Sequence, residues 1–103
     1  MRVISKTRLK EFWATHPDAE KELTRWYAVV RSVTWKSPAG VKTSFSSRVD
    51  FVKVASGTTV AVFDIANNNY RLVAAIHYDY PRVFVLRVMT HEEYDRNRWK
   101  KEL

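Results

Sequence analysis

Leu23, Trp26, Tyr27, Val30 and Val33 recur at the spacing of one helix face and predict an amphipathic helix ending near Ser32. His16-Pro17-Asp18 breaks the chain just ahead of it. Pro17 suits a first helical turn, Asp18 and Glu20 suit its positive end, and His16 is expected in a capping role. Before the break, a helix is predicted with Ser5 as its N-cap. It runs to about Thr15 with Leu9, Phe12 and Trp13 on its buried side. Arg2-Val3-Ile4 precedes it as a short strand. Trp13, Trp26 and Tyr27 obey helical spacing, which assigns them to a core rather than to a platform for stacking bases. Lys21, Glu22 and Arg25 form the solvated side of the second helix.

Beyond Trp35 the period changes. Residues 35–48, with Ser37-Pro38-Ala39-Gly40 and Ser44-Phe45-Ser46-Ser47, read as a loop with room for one helical turn. Valine, isoleucine and phenylalanine with partial alternation then predict strands over residues 49–54, 59–65, 70–78 and 82–89. Turns fall at Ser56-Gly57, at Asn67-Asn68, where asparagine tolerates positive φ, and at Asp79-Tyr80-Pro81. Helices gathered before a run of strands indicate an α+β fold: an antiparallel sheet, two N-terminal helices packed on one face, and a short C-terminal helix. The other sheet face is expected to be partly open. On the third of these strands Leu72, Ala74 and Ile76 share one face, and Arg71, Val73, Ala75 and His77 share the other. Arg87 stands on the last strand with Val83 and Val85. If Arg71 and Arg87 share the uncovered face, they lie on neighbouring strands beside His91. His77 is expected to pack or lie at the surface.

A chain of 103 residues with 46% hydrophobic and 14% aromatic residues suffices for one domain, residues 1–103, with a core of its own. The absence of cysteine excludes a disulfide framework, a thiolate nucleophile and a cysteine zinc site. Nothing approaches the roughly 20 apolar residues of a membrane span. Met1-Arg2-Val3-Ile4-Ser5 does not resemble a signal peptide, so a cytoplasmic location is expected. The net charge of +7 points to a polyanion, either nucleic acid or an acidic protein partner.

Thr90-His91-Glu92-Glu93-Tyr94-Asp95 concentrates the candidate chemistry. Thr90 and Glu93 fit a capping box that starts a helix there. Side chains three and four apart share a helix face, so His91, Tyr94 and Asp95 can meet in one site. A phosphate there would find free backbone N–H groups, an imidazole and a phenol. Metal-free RNA cleavage requires a base for the ribose 2′-OH, an acid for the leaving 5′-oxygen and cations for the charge on phosphorus. His91 is the first choice for proton transfer, and Tyr94 can protonate, orient or stack, or else simply pack its helix on the sheet. Asp95 is expected to orient His91 or to help its helix rather than to do chemistry. Arg71 is the candidate phosphate clamp, and Arg87 is a weaker one. Asn69 is a turn residue first and an RNA contact second. Lys36, Lys42 and Lys53 are candidate grips on an RNA backbone, and Arg96, Arg98, Lys100 and Lys101 make the C-terminal segment basic.

These residues also carry a resemblance. Arg2-Val3-Ile4, Leu9, Phe12, His16-Pro17-Asp18-Ala19, Leu23, Trp26, Trp35-Lys36, Val41-Lys42, Phe45, Val62-Phe63-Asp64-Ile65, Asn69-Tyr70-Arg71-Leu72, Ile76, Tyr78, Thr90-His91 and Tyr94-Asp95 occur in the order and spacing of HigB-type toxins. The chain resembles this mRNA-interferase family of the RelE/ParE-like superfamily, from bacterial type II toxin–antitoxin modules. The resemblance implies an endoribonuclease acting on mRNA, commonly on the ribosome, with no nucleotide or metal cofactor. It also implies a HigA-like helix-turn-helix antitoxin whose complex with the toxin binds operator DNA. Superfamily members that poison gyrase share the fold without the nuclease, and a domain that only binds RNA or a partner is the third alternative.

Overall fold

The computed structural model describes residues 1–67 and 69–103. Its elements are β1 (Arg2–Ile4), α1 (Thr7–Thr15), a 3-10 turn (Pro17–Ala19), α2 (Glu20–Ser32), α3 (Pro38–Phe45) and a second 3-10 turn (Ser46–Arg48). There follow β2 (Val49–Lys53), β3 (Thr59–Ile65), β4 (Tyr70–His77), β5 (Arg82–Thr90), α4 (His91–Asp95) and α5 (Arg98–Glu102). The five strands form one sheet in the order β1-β5-β4-β3-β2. Strands β2 to β5 are antiparallel neighbours, and β1 adds a parallel edge in which Val3 lies beside Val83. The fold is the expected α+β arrangement, with this one parallel pair added. No helix among the described residues is long and apolar enough to cross a membrane.

The alternation along β4 decides the layering. Leu72 and Ala74 face the helical layer, where Leu9, Leu23, Trp26, Val30, Val41, Phe45 and Phe63 close the main core. Val73 faces the other way, into a second cluster with Val54, Val60, Val62, Met89 and Trp99. The face expected to be open is therefore capped in part by α5, through Trp99, which is 2% exposed.

Four local expectations change in the structure. Ser5 does not cap α1: its φ is +70° and its carbonyl accepts from the Arg8 N–H at 3.0 Å, so the helix enters through Lys6. The imidazole of His16 does not cap the following turn. It stacks on Phe12 at 4.2 Å, with Nδ1 3.0 Å from Thr15 Oγ1. Residues 38–45 form a full helix where a loop was expected. Pro38 at its first turn and the buried pair Val41 and Phe45, four apart, explain why it folds against the core. A Cβ on Gly40 would meet Trp35 Cδ1 at 3.3 Å, so that glycine lets the tryptophan close on the helix.

The fourth change concerns β5. Val73 pairs with Arg87 and Ala74 with Val85, leaving Leu86 as an extra residue. This bulge reverses the alternation. Val83 and Val85 stay in the main core, while Arg87 and Met89 turn to the face of Val73 and Arg71. Strict alternation would have kept Arg87 with Val83 and Val85, and the bulge is what brings both arginines to one face. The β3–β4 turn has positive φ at Ala66 and Asn67. The second residue of the expected Asn67-Asn68 turn, Asn68, lies outside the described residues.

Candidate active site

Antiparallel register sets the site. Tyr70 pairs with Thr90 and Arg71 with Met89, so the start of β4 lies against the end of β5, from which α4 departs. Thr90 caps α4 through the expected box: its Oγ1 accepts from the Glu93 N–H at 3.2 Å, and the Glu93 carboxylate accepts from the Thr90 N–H at 3.1 Å. The His91 N–H donates to the Asn69 carbonyl at 3.0 Å. The amides expected to be free for phosphate are thus engaged at Thr90, His91 and Glu93. The side chains, not the helix terminus, are left to meet a substrate. Asn69 serves as a turn residue through its backbone, which ties α4 to the residues before Arg71.

Arg71 lies over the face of Tyr94, with its guanidinium carbon 5.4 Å from the ring centre. Its Nε donates to Asp64 Oδ1 at 3.1 Å across the β3–β4 pair, and its Nη1 donates to the Tyr70 carbonyl at 3.1 Å. With the side chain only 12% exposed, these contacts fix the plane of the guanidinium. Tyr94 in turn stacks on Trp99, centroids 5.2 Å apart and planes 21° apart, and its carbonyl accepts from the Trp99 indole N–H at 3.1 Å. Asp64, Arg71, Tyr94 and Trp99 form one continuous stack anchored in the second cluster.

His91 opens the same helical turn as Tyr94. Its Nδ1 lies 2.8 Å from Asp95 Oδ2, four residues on. An Nδ1–H donated to that carboxylate leaves the Nε2 lone pair facing outward, the tautomer that a base at Nε2 needs. The ring is half exposed, so substrate can reach it. Burial pushes the Tyr94 phenol above its ordinary value. The Arg71 charge opposes that shift, and Asp50, Asp64 and Asp95 add to it. Tyr94 therefore remains protonated at neutral pH and can give a proton but not take one.

The other candidates divide. Arg87 shares the sheet face of Arg71 but turns toward α5, with Nη2 3.5 Å from Glu102 Oε1, and lines a hollow with Arg96, Arg98 and Trp99. Lys36, Lys42 and Lys53 are not brought to Arg71 and Tyr94. Lys53 follows the parity of Val49 and Phe51, which pack toward the helical layer; Lys42 reaches 5.9 Å over the Phe51 ring; Lys36 lies exposed before α3. The sheet separates these three from the site. His77 is exposed and meets Phe84 edge-on at 5.2 Å. Asp64 and Trp99 had no assigned role in the sequence. Strand parity could have singled out Asp64, since it shares a face with Val60 and Val62, but only the β3–β4 register sets it opposite Arg71.

Comparison with known proteins agrees with this architecture. The family described as HigB_toxin, RelE-like toxic component of a toxin-antitoxin system, matches residues 19–97. An mRNA interferase HigB from Escherichia coli O6:H1 strain CFT073 is 28% identical over 96 residues, covering 93% of this chain and 90% of that protein. The mRNA interferase toxin HigB of Escherichia coli K12 is 27% identical over 95 residues, covering 92% and 88%. An mRNA interferase HigB of Shigella flexneri matches to the same extent. With a family match that takes in α2, α3, four of the five strands and α4, this chain belongs to the HigB toxin family, the RelE-like toxic components of toxin–antitoxin systems.

Proposed function

We propose that this toxin is an endoribonuclease that cleaves mRNA on translating ribosomes, stopping translation and growth, and that a HigA-like helix-turn-helix antitoxin neutralises it. The observation that carries the proposal is the Arg71 guanidinium held over the Tyr94 ring at 5.4 Å, with His91 one helical turn from Tyr94. The relatives named mRNA interferase support the substrate class.

In the proposed reaction His91 Nε2 takes the proton of the ribose 2′-OH, and the 2′-oxygen attacks the adjacent phosphorus. As the P–O5′ bond breaks, the Tyr94 hydroxyl gives its proton to the departing 5′-oxygen. Arg71 holds the charge that gathers on the non-bridging oxygens. The products are a 2′,3′-cyclic phosphate and a 5′-hydroxyl, and no metal is required. Asp95 keeps His91 in the working tautomer, and Asp64 holds Arg71 in plane. Arg98 lines a hollow with Arg87 and Arg96, which are paired with Glu102 and Glu92, and it is the candidate there for the flanking RNA backbone.

The test is brief induction in growing bacteria followed by mapping of mRNA 5′ ends, with translation running and with it blocked. New ends inside coding sequences, lost when translation is blocked, are the expected result. Intact mRNA with a supercoiling defect would instead assign the toxin to the gyrase-poisoning kind.

A further inference from the structure

The proposed cleavage site is short of positive charge. The carboxylates of Asp50, Asp64 and Asp95 all act on the Tyr94 hydroxyl, against the guanidinium of Arg71. Arg87, on the same sheet face, is turned to Glu102. An RNA phosphate brings a further negative charge, and attack by the 2′-oxygen gathers more on its non-bridging oxygens. Asp64 bears this conflict most directly. It holds the Arg71 Nε at 3.1 Å, so only the width of a guanidinium separates it from a phosphate bound there.

A cation stands on the other side of Asp64. In the β2–β3 register Val49 pairs with Phe63 and Asp50 with Val62. Continued by one residue, that register sets Arg48, just before β2, across from Asp64, which itself lies across from Arg71. Ser46, with φ +55° and ψ −131°, turns the chain out of α3 and into the 3-10 turn that delivers Arg48. Arg48 and Asp64 line one hollow of about 400 Å³ beside the β3–β4 turn. Arg48 is exposed and forms no ion pair among the described residues. Arg25, in the same hollow, has its Nη1 3.6 Å from Glu22.

We propose that Arg48 is a positioning residue for RNA cleavage, acting through Asp64 from the side away from Arg71. It balances the carboxylate, so that Asp64 keeps Arg71 in place while the charge of that guanidinium is left to the phosphate. Without Arg48, more of the Asp64 charge falls on Arg71 and on the phosphate beside it. The inference rests on the proposed nuclease reading and adds a residue that need not touch RNA.

The test is a double-mutant cycle, with the full chain cutting mRNA on programmed ribosomes. Arg48→Gln is expected to lower kcat ~5-fold, the upper end for an exposed charge pair, with KM and thermal midpoint close to the parent's. Arg48→Lys keeps the charge and is expected to restore most of the rate. In an Asp64→Asn background there is no carboxylate to balance, and Arg48→Gln is expected to cost less than ~2-fold. Arg25→Gln removes a cation already paired with Glu22 and is expected to leave kcat unchanged. No loss from Arg48→Gln, equal losses in both backgrounds, or a rise in KM in place of a fall in kcat overturns the inference, and the last two assign Arg48 to the RNA backbone instead. An equal loss from Arg25→Gln also overturns it, by assigning the effect to the general field of the surface. Failure of the unaltered chain to cut RNA sinks the nuclease reading and this inference with it, whereas additive losses in a chain that cuts sink this inference alone.

Discussion

Arg71→Ala is expected to lower mRNA cleavage by ~10²–10³-fold, the usual effect of removing one preorganised donor to a developing oxyanion. The reason lies in the stack. The guanidinium is fixed by Asp64 at 3.1 Å, by the Tyr70 carbonyl at 3.1 Å and by the Tyr94 ring, so it meets a phosphate without reorganising. Arg71→Lys keeps the charge but loses the planar fork and is expected to recover only part of the rate. Rates of purified variants on programmed ribosomes, compared at equal folded fraction by circular dichroism, check this. Removing Arg71 also leaves the Asp64 carboxylate without that partner, so a stability loss should accompany the rate loss. Asp64→Asn separates the two effects, because it frees the guanidinium to turn while leaving it present. Full activity in Arg71→Ala would remove the arginine from the mechanism.

Trp99→Ala is expected to give the largest stability loss at the site, ~3–5 kcal/mol for a buried tryptophan. For a domain of this size that is a fall of roughly 15 °C or more in Tm. Trp99 seals the second cluster with Val54, Val60, Val62, Val73 and Met89, and it also forms the floor on which Tyr94 stacks. Two readouts should therefore move together: the thermal midpoint, and cleavage by the fraction that remains folded. Trp99→Phe keeps much of the apolar volume but loses the indole N–H to the Tyr94 carbonyl, and it should restore more stability than activity. A Tm within a few degrees of the parent for Trp99→Ala would mean that α5 contributes little to the fold.

How far the sequence reaches is clearest at individual residues. The face of α2 was legible because Leu23, Trp26 and Val30 repeat at helical spacing, and all three are buried. The capping box at Thr90 was legible because it is written in two residues three apart. Helix α3 was not, since Ser, Pro and Gly locally favour a turn and only tertiary burial of Val41 and Phe45 outweighs them. The face of Arg87 depends on one extra residue, Leu86, and a bulge leaves no mark in a run of alternating apolar residues. At the site, local spacing indicated His91, Tyr94 and Asp95. The contact of Arg71 with Tyr94 and the pairing of Arg71 with Asp64 arise from strand register and chain closure, which spacing does not encode. The three lysines illustrate the same limit: charge marks a candidate, but only parity across β2 and the position of α3 put Lys36, Lys42 and Lys53 on the far side of the sheet.

The most direct test of the whole account is cleavage of an mRNA carrying a single 2′-deoxynucleotide at the cut position, presented on a programmed ribosome beside its all-ribose counterpart. The proposed convergence of Arg71, His91 and Tyr94 on one phosphodiester predicts that the all-ribose message is cut to a 2′,3′-cyclic phosphate and a 5′-hydroxyl while the deoxy message stays whole. Equal cutting of both messages, or products bearing a 5′-phosphate, would contradict it.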